Sequence, residues 1–340
     1  MAYPTEGPEL PAPYSYAEPL RPPVPPARRK FQGRTGLHLL LFFLTLATTT
    51  LVGADHYAAF QSDFGRQPVA FGWALLWNGL WYSLTILGIL GAHEMGHYLY
   101  CRRYGVDATL PYFIPLPPII FLTGTLGAVI RIRSPFPTKA ILFDIGIAGP
   151  IGGMLVLVPA LFYGLTLSPL VPEPTGEGVL LFLGEPLLFQ WATAWVAGPI
   201  PEGYTINMHP MVFACWFGLL ATALNLLPFG QLDGGHIAYA ALGRHSWIVS
   251  AMTLVVVVVL AVQSMSWIVF AVLLLVMWRF VGLGHPPPLN DHEPIGRGRL
   301  GLAVFAALMF VVCFTPRPIE ISDLVPVTRG GTTAAASNNP

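Results

Sequence analysis

Ala70–Ala92 reads AFGWALLWNGLWYSLTILGILGA and runs without a break into His93-Glu94-Met95-Gly96-His97. A helix needs about 20 mostly apolar residues to cross a bilayer, and this run supplies them before its first ionisable group. Two histidines four residues apart lie on one face of a helix, so both imidazoles can hold one metal ion. Glu94, beside the first histidine, stands where a general base toward a metal-polarised water is needed. The alternative for His93 and His97 is a pair of polar residues tolerated near a helix end. Ionisable groups at membrane depth are costly, and three within about one turn argue against it.

Composition places the rest of the chain in the same setting. Of 340 residues, 54% are hydrophobic and only 10% charged, against about 25% charged in soluble domains. The formal net charge is zero, so no global basic field points to nucleic acid. Cys101, Cys215 and Cys313 lie far apart and form neither a metal-type pair nor a disulfide framework; they read as small buried residues.

The expected fold class is an all-α polytopic membrane protein. Its candidate spans are Leu37–Gly53, Ala70–Ala92 continuing to Arg103, Ala140–Leu167, Met211–Leu227, Ile248–Val262, Trp267–Leu283 and Leu300–Phe314. Val179–Ala197 is interrupted by Glu185-Pro186 and is expected to be re-entrant, to lie on the surface, or to pack as a short helix. Residues 1–36 read as a Pro-rich, disordered cytoplasmic arm (Pro4, Pro8, Pro11, Pro13, Pro19, Pro22 to Pro26) rather than a signal peptide. Residues 37–315 read as the transmembrane domain, with a core over 70–243, and residues 316–340 as a disordered tail.

Arg28, Arg29, Lys30 and Arg34 precede the first span and keep the N-terminus cytoplasmic by the positive-inside rule. With seven spans, every one of the 17 Lys/Arg except Arg66, Arg317 and Arg329 falls on, or faces, the cytoplasmic side. The His93–His97 end falls there too. A full span at Val179–Ala197 would invert everything after it. No internal repeat appears, and the longest loop, Ser168–Met208, is too short for an ordinary domain.

Between Tyr104 and Lys139 the pattern changes. Pro111, Pro115, Pro117 and Pro118 break any helix. Phe121–Arg133 (FLTGTLGAVIRIR) is β-branched and partly alternating, so it is either an extended edge or hairpin near the site mouth or a solvated connector. A third metal ligand is expected from another helix. Asn225-Leu-Leu-Pro-Phe-Gly-Gln-Leu-Asp233-Gly-Gly lies at the same depth by the topology above. Its Pro228 and glycines unwind a helix, which is tolerated at membrane depth only where backbone is buried in protein or lines a cavity. Asp233-Gly234-Gly235 alone would be a simple turn; beside HExxH it offers a carboxylate.

The pair HExxH and NxxPxxxLDGG resembles the site-2 protease family of intramembrane zinc metalloproteases, over about Ala70 to Gly243. Leu126–Arg131 and Asp144–Pro150 are similar to its plastid and bacterial branch, which includes the ethylene-dependent gravitropism-deficient proteins and carries no PDZ insert. The resemblance implies one zinc ion per chain on His93, His97 and Asp233. It implies Glu94 as the group taking a proton from water and passing it to the leaving amine. It also implies Asn225 as a partner of the unwound substrate backbone or the oxyanion. The implied activity is hydrolysis of a peptide bond in or near a transmembrane segment of a membrane protein, in a bacterial inner membrane, with homo-oligomers allowed.

Two rivals stay open, while the retained Glu94 weighs against a third, an inactive, scaffold-like relative. A zinc protease cutting soluble loops beside the membrane would use a Glu as third ligand, where this chain has LDGG. A transporter or metal-conducting channel could use the same His/Asp cluster. Of the other polar residues, Asp144 is expected to pair with Arg131, Arg133 or Lys139 rather than to serve the site, which stays the alternative. His236 is expected to be interfacial unless it supports or gates the site. His209 lies across the membrane from the site, and Tyr98 and Tyr100 fit an interfacial belt.

Overall fold

The computed structural model describes residues 30–31, 33–70, 72–118, 122–174 and 179–323. The arm expected over 1–36 lies, through residue 29, outside the described residues, as does the tail beyond 323. The chain is mainly helical: α1 (Thr35–Ser62), α2 (Trp73–Arg103), α3 (Lys139–Thr166), α4 (Leu187–Ala197), α5 (Pro210–Asn225), α6 (Asp233–Leu242), α7 (Ser246–Gln263), α8 (Ile268–Val281) and α9 (Arg297–Cys313). Four helical stretches are long and apolar enough to cross a membrane: Thr35–Ser62, Trp73–Arg103, Lys139–Thr166 and Asp233–Gln263, the last joining α6 to α7. Pro210–Asn225 and Met265–Phe280 are apolar but shorter.

The centre is a three-helix core of α2, α3 and α5, where Tyr82, Ile86, Leu157, Leu161, Trp216 and Leu219 are buried. Apolar burial does not drive helices together in lipid, so close backbone approach must. Gly96, the fourth residue of the HEMGH motif, faces Gly149 and Ala148 of α3, and a Cβ there would lie 2.8 Å from the Ala148 carbonyl carbon. The outer faces of α7 and α8 expose Val255, Val259, Val262, Val269 and Leu273, as a lipid-facing surface requires.

Among the described residues, three two-stranded antiparallel sheets complete the fold. β1 (Tyr112–Pro115) pairs with β2 (Thr125–Val129), with an irregularity between Phe113 and Pro115. The stretch between Tyr104 and Lys139 is therefore a hairpin and not only a connector. β3 (Leu170–Pro172) pairs with β5 (Tyr204–Ile206). β4 (Val179–Leu183) pairs with β6 (Ile319–Asp323), so part of the stretch read as a tail is a strand. Its partner is the awkward segment Val179–Ala197, which forms β4, turns at Gly184–Pro186, and continues as the short helix α4. Trp216 Nε1 donates to Gly184 O at 2.7 Å and fixes that turn on the core.

Candidate metal centre

α2 delivers His93, Glu94 and His97 to its C-terminal third, and all three are buried. The residues that meet them come from a broken helix. α5 ends at Asn225, Pro228 cannot continue it, and α6 restarts at Asp233. The two glycines after Asp233 are needed for packing. A Cβ at Gly234 would lie 2.6 Å from Leu227 O, and one at Gly235 would lie 2.7 Å from Phe229 O. Asp233 thus stands in the first turn of α6, the helix end that favours a carboxylate.

His93 Nε2 lies 3.1 Å from Asp233 Oδ2 and 3.1 Å from His97 Nε2. His97 Nε2 lies 3.3 Å from Asp233 Oδ1. His97 Nδ1 is 2.7 Å from the backbone oxygen of Ile145 on α3. A carbonyl only accepts, so Nδ1 carries the hydrogen, and in the neutral ring Nε2 is then bare. Two imidazole nitrogens and a carboxylate therefore crowd together, and acceptors so placed repel unless a cation or protons lie between them.

The spacing fits a metal. Tetrahedral zinc, with ligand bonds of about 2.0–2.2 Å, holds its ligand atoms about 3.3–3.5 Å apart. The donor set of two imidazoles and one carboxylate, with a position left open, suits catalytic zinc. Among the described residues, His93, His97 and Asp233 are the one group of His, Cys, Asp and Glu side chains that could hold such an ion.

The sequence-derived residues thus come together. Asn225 also belongs: its Nδ2 is 3.4 Å from His93 Nε2. Glu94 is buried beside them, next to the backbone of Ile130, just past β2. The hairpin thus lies against the site. Between α6 and α9 lies an apolar groove of about 440 Å³, lined by Leu226, Gly234, Ala238, Ala303, Ala307 and Phe310, so that it touches the chain neighbours of Asn225 and Asp233.

Several expectations need correction. Asp144 pairs with none of Arg131, Arg133 and Lys139. Its oxygens take Arg299 Nε and Nη2, both at 2.7 Å, and Tyr104 Oη at 2.6 Å. Lys139 reaches Asp291 instead, and Arg133 reaches Asp107. The physical reason is the docking of α9 against α3, which sequence periodicity does not specify. His236 Nδ1 lies 2.7 Å from His285 Nε2, in the segment between α8 and α9. Tyr98 is buried against Phe31, whereas Tyr100 is exposed as a belt residue would be. His209 lies at the start of α5, away from the centre, as expected. The three cysteines are free and buried.

The fold and site define a polytopic, membrane-type protein built around a candidate metal centre of HExxH and Asp. The chain belongs to Peptidase family M50, whose match covers residues 81–266. It is 31% identical over 248 residues to the probable zinc metalloprotease EGY1, chloroplastic, of Arabidopsis thaliana, covering 71% of this chain and 43% of that protein. With EGY2, chloroplastic, of the same plant it shares 31% identity over 216 residues, 62% of this chain and 35% of that protein. A rice relative, EGY3, chloroplastic, from Oryza sativa subsp. japonica, is 30% identical over 256 residues, 68% of this chain and 41% of the relative. The chain thus spans well under half the length of these relatives. No solved structure matches it.

Proposed function

We propose that the chain is an intramembrane zinc metalloprotease that hydrolyses a peptide bond in or near a transmembrane segment of a membrane protein. The observation that carries this reading is the convergence of His93, His97 and Asp233 within 4.8 Å of one another, with Glu94 buried alongside. Those three side chains would hold one zinc ion, which would supply a Lewis acid toward water and the scissile carbonyl. Glu94 takes the proton from the attacking water and returns it to the leaving amine. Asn225, within reach of the same centre, hydrogen-bonds the unwound substrate backbone or its developing oxyanion.

A transmembrane helix hides its own carbonyls, so the substrate has to be extended before attack. β2 and the residues after it, which bring the Ile130 backbone beside Glu94, offer a strand for an extended segment to pair with. The apolar groove between α6 and α9 supports arrival of the substrate from the bilayer rather than from water.

In this reading α5, α8 and α9 cross together with the four longer spans, making seven. Residues 37–315 form the protease domain around the core at 70–243. The Lys/Arg distribution favours a cytoplasmic N-terminus and active-site end, in a bacterial inner membrane; the plant relatives are chloroplastic by their names. Assembly of several copies is compatible with this arrangement.

Glu94→Gln tests the mechanism, because it removes the base and leaves the ligands. Purified variant should carry zinc at the wild-type stoichiometry and cleave a reporter transmembrane substrate at least about 10²–10⁴-fold more slowly. Cleavage at the wild-type rate would sink the assignment.

A further inference from the structure

The Tyr104–Asp144–Arg299 cluster sits one peptide away from the carbonyl that orients His97, and the metal-centre reading gives it no role. Asp144 belongs to the second turn of α3, and the next residue, Ile145, supplies the oxygen that accepts from His97 Nδ1 at 2.7 Å. Asp144 is bound in a planar fork by Arg299 Nε and Nη2, at 2.7 Å each, and by Tyr104 Oη at 2.6 Å. A bidentate guanidinium–carboxylate pair fixes direction as well as distance. Arg299 is itself steadied, with Nη1 donating to Ile295 O at 3.3 Å. The three groups come from the end of α2, the start of α3 and the start of α9. Arg299 lies outside the 81–266 region shared with the family.

The cluster is not needed merely to hold α3 against α2. That contact is already made by Gly96 and Gly152 against the facing backbone, and by the burial of Leu142, Phe143 and Ile145. Small residues packed this closely set the distance between two helices but leave rotation about each axis less constrained. Rotation matters here. Turning α3 by 20° would carry its backbone atoms, ~2.3 Å from the axis, through ~0.8 Å. A shift of about that size at a supporting group can cost on the order of 10²-fold in rate. Gly149, one turn on, packs so tightly on the His97 ring that a Cβ there would overlap it, so the imidazole follows α3 rather than floating beside it.

We infer that Asp144 is a positioning residue for the metal centre, holding Ile145 O toward His97 by means of Arg299 and Tyr104, so that the last helix completes the site without touching the ion. The inference rests on the metal-centre reading and adds to it the demand that a residue of α9 sets the affinity of the centre. The phenol of Tyr104 is consistent with a lasting donor: its hydrogen bond to Asp144 holds its pKa above the usual tyrosine value.

The test uses the full chain in detergent, with zinc affinity measured by chelator competition and the ligand field read from the absorption of the cobalt-substituted protein. Asp144→Asn should weaken zinc binding about tenfold, the lower end of what loss of an outer partner costs. It should also shift the cobalt bands and lower kcat while leaving KM unchanged. Arg299→Gln should do the same, and Arg299→Lys should recover part of the loss. Tyr104→Phe, which leaves the ion pair intact, should move affinity in the same direction by a few-fold, and it stands in if Asp144→Asn does not fold. Zinc affinity and cobalt spectra equal to wild type in folded variants, with only a lower melting temperature, would overturn the inference and leave a purely structural clamp. Wild-type protein that bound no zinc would overturn the metal-centre reading beneath it as well.

Discussion

His97 and His209 are equally hidden, at 6% and 5% exposure, yet the structure uses them in opposite ways. His97 gives its Nδ1 hydrogen to Ile145 O and turns a bare Nε2 toward His93 and Asp233. His209 uses Nδ1 to accept from Met211 N–H at 3.3 Å, which caps α5. Its ring is packed by Phe60 at 5.2 Å, Trp81 at 5.6 Å and Tyr57 at 6.3 Å. Burial alone therefore does not make a ligand. What distinguishes the two is which ring nitrogen is left bare and whether a second and third acceptor face it. One end of the bundle gathers acceptors around a point; the other wraps an imidazole in hydrocarbon.

The most severe way to break this contrast is to remove one histidine at a time. His97→Ala should abolish stoichiometric zinc and cleavage together, and Asp233→Ala should do likewise. The loss should exceed the roughly 10–100-fold that follows removal of an outer partner. His209→Ala should keep zinc at the wild-type ratio and cleave the reporter, at some cost in stability from the lost cap, on the order of 1 kcal/mol. Metal analysis of the three purified variants decides it. Zinc lost from His209→Ala, or kept by Asp233→Ala, would erase the distinction.

A gentler change reaches His97 without touching it. A methyl group at Gly149 would overlap the imidazole ring, because α3 passes so close to α2 there. Gly149→Ala should therefore weaken zinc by about 10–100-fold, as loss of an outer partner does. Gly301→Ala on α9, where nothing lies within 4 Å of the added carbon, should bind zinc normally and gain up to ~1 kcal/mol in helix stability. Chelator competition on both variants measures the difference, and equal affinities would show that the close approach is not what seats the ring.

These two glycines also mark what can be read from sequence and what cannot. The His93–His97–Asp233 cluster was legible because a four-residue helical spacing and a Pro/Gly-broken helix each imply geometry locally, and topology put Asp233 at the same depth as His97. The hairpin at Tyr112–Val129 was half legible, from prolines and β-branched residues that exclude helix. Arg299 was not legible as the partner of Asp144. The pair is 155 residues apart in sequence and depends on where α9 docks, whereas Arg131, Arg133 and Lys139 were nearer and carried the same charge. Nor was β6 legible, since Ile319–Asp323 is a strand only because β4 lies beside it. The sevenfold span count rested on apolar length, and α5 has only 16 residues. Interhelical docking and pairing across long separations are set by shape, and shape is not periodic.

Acid should sharpen the contrast at its smallest scale. Burial pushes His209 down to about 4, from an ordinary value of 6.5. Its imidazole is thus neutral in the fold while an unfolded chain binds a proton below 6.5, so stability is full above that pH and falls as pH drops from 6.5 toward 4. At pH 5 the loss from this one group is on the order of 2 kcal/mol. Residue His285, also pushed down by burial, adds to the loss in the same direction. Metal binding is itself pH-dependent, so the comparison is made in chelator, on metal-free protein. Thermal unfolding of wild type and His209→Phe at pH 7 and pH 5 isolates the term: both should soften in acid through His285, and the wild type should lose a few degrees more. Equal losses would mean that water or an acidic group reaches the ring through its aromatic packing. The far end of the bundle would then be more like the metal end than the structure makes it.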